Sequence, residues 1–213
     1  LPDLDFRFPA HSQVSGASKI PTLIYYDARG NFMAAGAEAM REGIEQQAID
    51  EGWSRAEWYV RYIVPLISTS RRDRFKLHVR SQSGTSMVQL EEQLPPLPPN
   101  KTIIQVIADY LTYLYECTKQ YIIDTHPSGA ILWSSVKDEI HYILTHPNGW
   151  EGYQQTQMRD AVVLAGLLPY ERSEDRITFL TEGEASLHYA IRNGLPAGAM
   201  NVSTPTIVLA SLL

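Results

Sequence analysis

Two short stretches carry the residue types that do chemistry: Thr145-His146-Pro147-Asn148-Gly149-Trp150 and Thr181-Glu182-Gly183-Glu184. Each follows an apolar run that reads as a strand, the first from Ile140 and the second over Ile177–Leu180. A helix running to Gly166 separates them. Strand, crossover helix and strand form a βαβ unit, which requires parallel pairing and brings the loops after both strands to one edge of the sheet. Open α/β sheets hold ligands at that edge, so Pro147 and Glu182 are expected side by side at a potential site. A plainer reading of the same residues also stands. Carboxylates such as Glu182 and Glu184 suit the positive end of a helix dipole, and a proline after a strand is an ordinary turn former.

Other chemistries find less support. His141 and His146 flank a strand and His188 falls on a helix, but there is no HExxH or comparable spacing, so these histidines read as structural or surface residues. Tyr25, Tyr26, Tyr110, Tyr113, Tyr115 and Tyr121 read as core and boundary aromatics rather than a base-stacking platform. There is no Gly-x-Ser-x-Gly elbow and no Walker loop.

The elements that would position the site begin with a strand at Pro21–Tyr26, dense in β-branched and aromatic residues. Asp27-Ala28-Arg29-Gly30-Asn31 is a hairpin turn, after which Phe32–Ala35 returns. Met40, Ile44 and Ile49 are then spaced as the buried stripe of a helix stopped by Gly52, and a second, aromatic helix is expected at Trp53–Ile67. From Arg74 to Arg80 apolar and basic residues alternate, as in a half-buried strand whose basic face reads as the solvated face of an edge strand in preference to a phosphate- or RNA-binding stripe. Ser81–Gln93 reads as a loop and Pro95-Pro96-Leu97-Pro98-Pro99 as a stiff lead-in to the next helix. That helix opens on Thr102-Ile103-Ile104-Gln105, the pattern of a capping box. Its stripe of Ile103, Ile107, Tyr110, Leu111, Leu114 and Tyr121 predicts a long helix packed on the sheet.

The chain has 213 residues, 44% apolar and 20% charged, enough to bury a substantial core. Its formal charge of −6 offers no global attraction for nucleic acid or an anionic membrane. Cys117 is the only cysteine, which rules out an intrachain disulfide and fits a reducing cytoplasm. No apolar run reaches the roughly 20 residues of a membrane-spanning helix. The start at Leu1 lacks the form of a signal peptide and suggests a fragment. The sequons at Asn100 and Asn201 read as chance matches.

From Pro147 onward the chain resembles the nucleotide-binding domain of the seventy-kilodalton heat-shock chaperones, within the actin-like ATPase superfamily. That family has a strand ending in Thr-Val-Pro-Ala-Tyr-Phe, a helix containing Gln-Arg-Gln-Ala-Thr-x-Asp-Ala-x-x-x-Ala-Gly-Leu, and later Asn-Glu-Pro-Thr-Ala-Ala. Here the helix reads Gln154-Gln155-Thr156-Gln157-Met158-Arg159-Asp160-Ala161, then Ala165-Gly166-Leu167, without a gap from the proline to the glycine. Thr181-Glu182-Gly183-Glu184-Ala185-Ser186 stands at the glutamate turn. Earlier, Ser18-Lys19-Ile20-Pro21-Thr22 through Gly36-Ala37-Glu38-Ala39 is similar to the family's first strand, hairpin and helix start. The pattern is most similar to the divergent chaperone-like ATPases related to the twelfth subfamily.

The resemblance implies an α/β fold, a partial actin-like ATPase (ribonuclease H-like) lobe with a mixed sheet and packed helices. It divides the chain into an irregular segment at 1–19, an incomplete first lobe at 20–194, and a divergent tail at 195–213. Within the lobe, 20–100 is a smaller subdomain and 101–194 holds the long helix and the βαβ unit. By resemblance Glu182 orients magnesium-bound water beside the phosphates of ATP, a role open to a carboxylate because hard cations take oxygen ligands, commonly through water. Pro147 corresponds to an interdomain relay proline, whose arginine partner is replaced by Gln155.

The family grips phosphate with two glycine hairpins, Asp-x-Gly-Thr and Asp-x-Gly-Gly-Gly-Thr, where side chains would block the close backbone approach. The 213 residues contain neither. The family's catalytic lysine has no assignable counterpart, and Lys76 reads as a surface residue. Without phosphate donors most of the electrostatic stabilisation of phosphoryl transfer is lost. The expectation is therefore a chaperone-like ATP-binding lobe in the cytoplasm that does not hydrolyse ATP alone, with no direct metal ligand. The alternative is a non-enzymatic interaction module that meets the missing lobe or another protein at an exposed sheet edge. Neither nucleic acid nor membrane is an expected partner.

Overall fold

The structure, a computed structural model, describes residues 20–57, 97–146 and 152–194, with side chains described through His188. Pro147, Lys76, the alternating segment Arg74–Arg80, the loop Ser81–Gln93, Pro95 and Pro96, and the segments 1–19 and 195–213 lie outside the described residues.

Strands β1 (Leu23–Tyr26), β2 (Phe32–Ala35) and β3 (Ser54–Glu57) form an antiparallel sheet in the order β2-β1-β3. The expected hairpin is present. The Asp27 carboxylate accepts from the Asn31 side-chain amide at 2.8 Å and from the backbone N–H groups of Asn31 and Arg29 at 2.8 Å each, which closes the turn and holds its pKa below the usual carboxylate value. β1 is buried along its whole length because it is covered on both faces. Leu23 and Tyr25 face Ala39, Ile44 and Ala48, while Ile24 and Tyr26 face the main core.

Two expectations in this region are corrected. The stripe Met40-Ile44-Ile49 does not form: Ile44 is 2% exposed, but Met40 is 49% and Ile49 72% exposed. The segment splits into a 3-10 turn, Glu38–Met40, and helix α1, Ile44–Asp50, with Gly43 between them at φ 80°. That left-handed residue resets the helical phase, so Ala39, Ile44 and Ala48 face inward instead. The aromatic helix expected at Trp53–Ile67 is strand β3 over Ser54–Glu57, and residues 58–67 lie outside the described residues. Pairing with the free edge of β1, from Leu23↔Glu57 to Tyr26↔Ser54, overrides local preference. Trp53 packs on Tyr25, with ring centroids 6.1 Å apart.

Leu97 packs against the main core and Pro98 is buried, and a turn at Pro99-Asn100 leads into the next helix. Helix α2 (Ile103–Thr125) opens with the expected capping box: the Gln105 N–H donates to Thr102 Oγ1 at 3.2 Å and the Thr102 N–H to Gln105 Oε1 at 2.8 Å. Three phenols tie α2 to the antiparallel region. The Tyr26 hydroxyl donates to Asp109 at 2.9 Å, Tyr110 to the Pro21 carbonyl at 3.2 Å, and Tyr113 to Glu38 at 2.6 Å. Burial first, then the carboxylates facing Tyr26 and Tyr113, raises the pKa of those two phenols well above the ordinary tyrosine range. The six tyrosines expected as core and boundary residues are buried or half-buried.

A short helix that the sequence reading lacks, α3 (Gly129–Val136), packs back on α2. Gly129 permits this, since a Cβ there would collide with the backbone of Ile122 and Ile123. The crossover unit follows: β4 (Tyr142–His146), α4 (Gly152–Leu164), the four-residue α5 (Ser173–Arg176), β5 (Ile177–Thr181) and α6 (Glu182–Gly194). α4 stops before Gly166, which takes φ 71°. β4 and β5 are parallel, as expected.

The fold is α/β, with a small antiparallel sheet, a parallel strand pair and packed helices. Among the described residues the strands form these two sheets rather than one mixed sheet. A single apolar cluster nevertheless joins Ile24, Tyr26, Ile107, Leu111, Leu144, Met158 and Val162 across both. No helix of the described residues is long and apolar enough to cross a membrane.

Candidate functional site

The parallel register runs from Tyr142↔Ile177 to His146↔Thr181. The carboxyl ends of the two strands are therefore level, and Glu182 is the first residue beyond this rim, opening α6. The residue after His146 is Pro147, which lies outside the described residues. Glu182 is half-buried, and Glu184 is exposed.

The first turn of α6 is closed by its own side chains. The Thr181 backbone N–H and hydroxyl donate to Glu184 Oε2 at 2.8 and 2.9 Å, and the Glu184 N–H donates back to Thr181 Oγ1 at 3.2 Å. This is a capping box, in which two open backbone donors are satisfied reciprocally. The Thr181 N–H and then its hydroxyl hold the Glu184 carboxyl below the usual glutamate value, with His146 and His188 adding to the effect. Sequence reasoning missed this assignment, although the signal was present as Thr-x-x-Glu after an apolar run.

Below the rim, α4 meets His146 and Phe179. Gln155 Nε2 lies 3.5 Å from His146 Nε2, and one turn later the Arg159 guanidinium stacks over Phe179 at 4.8 Å. His146 is buried and packs on Phe179, with ring centroids 6.1 Å apart. His141 and His188 are exposed.

Glu182 presents a half-buried carboxylate at the rim. The rest of the rim does not fit a phosphate grip. A Cβ at Gly183 would meet only the Thr181 hydroxyl, at an ordinary 3.9 Å, so this glycine holds open no cradle. Two carboxylates in the first turn of α6 also oppose an anion at the helix N-terminus. Among the described residues no group of three or more His, Cys, Asp or Glu side chains can hold a metal ion. Cys117, far along the chain on α2, is buried, and burial pushes its thiol up to about 11, so it stays protonated and is a poor nucleophile. Compared with protein families, curated proteins and solved structures, the chain matches none.

Proposed function

We propose that this chain is the part of a chaperone-like, actin-like ATPase lobe that carries the water-orienting carboxylate of a magnesium–ATP site, and that by itself it does not hydrolyse ATP. The reading rests on the level ends of the parallel strands, His146 beside Thr181, with Glu182 next in the chain. It draws further on the motif resemblance between Pro147 and Ser186. Within this proposal Glu182 accepts hydrogen bonds from the cation's water shell, and the Thr181–Glu184 box sets the direction in which the chain leaves β5. ATP and magnesium would supply the phosphoryl group and its charge neutralisation. The residues present supply neither glycine hairpin, so transition-state charge on the phosphates goes unmatched.

Calorimetry with magnesium–ATP tests this. The expected result is measurable binding that weakens about 3- to 10-fold in Glu182→Gln, the size of one polar contact, with no phosphate release above background. Absence of binding, or binding that Glu182→Gln leaves unchanged, would overturn the reading.

A second reading is an interaction module without catalysis. It is favoured by one observation: among the described residues β4 and β5 pair only with each other, leaving an outer edge on each for another strand. No magnesium–ATP heat together with a stable oligomer in light scattering would select it.

A further inference from the structure

We draw no further inference here: the strongest candidate, the side-chain cluster of His146, Gln155, Thr181 and Glu184 where the ends of β4 and β5 meet the first turn of α6, belongs to the site already described and has no second observation pointing to a ligand.

Discussion

The antiparallel sheet and the parallel pair are built to different ends. β1 is buried at all four positions between two apolar layers, and phenol hydrogen bonds clamp its surroundings to α2. β5, by contrast, buries only Ile177 fully, leaves Thr178 exposed, and ends in a row of polar groups at the rim. A strand covered on both faces has no room for water or ligand and contributes chiefly to stability. One covered on a single face and open at its end is the better place for chemistry. Substitutions in the first region should therefore act on stability, and those at the rim should act weakly on stability but on any ligand strongly.

The largest effect is expected from Ile24→Ala, at a fully buried position that joins β1 to the main core. It should cost about 2–5 kcal/mol in denaturant unfolding, and a loss well under 1 kcal/mol would break the contrast. Next comes Gly129→Ala, where the new methyl meets the α2 backbone; a loss of about 1–3 kcal/mol is expected.

Tyr142→Phe should change stability in the opposite direction. Among the described residues the Tyr142 hydroxyl is buried without a hydrogen-bond partner in a residue 1% exposed, and burial raises the pKa of the phenol above the ordinary range. Removing it should leave stability unchanged or raise it by about 1 kcal/mol; a clear loss in thermal unfolding would show that the hydroxyl has a partner. Thr181→Ala removes the cap of α6 and should cost about 1 kcal/mol, read by unfolding and by faster amide exchange at Glu184.

Glu184→Gln gives the smallest effect and the most informative pH dependence. The amide can keep the capping geometry, so only the charge is lost. Glu184 has a folded value depressed below its unfolded one, chiefly by the Thr181 N–H. Its contribution is therefore present above the unfolded value and disappears as pH falls through the folded value. Wild type should exceed the variant slightly at neutral pH, and the two should converge in acid; a difference that grows in acid would refute the assignment.

Much of the crossover unit was legible in the sequence because its signals are local. Apolar runs, a helix between them and turn residues at the ends require a parallel pair whichever contacts form later. The α2 capping box and the Asp27 turn were legible for the same reason. The misreadings share a different cause. Ser54-Arg55-Ala56-Glu57 has no strand signature of its own, and becomes β3 because β1 has an unpaired edge beside it. The stripe through Met40 and Ile49 reads as one helix by spacing alone, although Gly43 breaks it. α3 is too short to show a period and stands where Gly129 lets it approach α2.

By itself the sequence determined that Glu182 follows a strand at the rim of a βαβ unit, since chain order and right-handed crossover leave no other arrangement. Only the tertiary structure decided that Glu184 is tied to Thr181, and that His146 is buried against Phe179 and Gln155. It also decided that two sheets share one core through α2. Those outcomes depend on which side chains meet across long stretches of chain, and spacing along one segment carries no information about the surface it will be packed against.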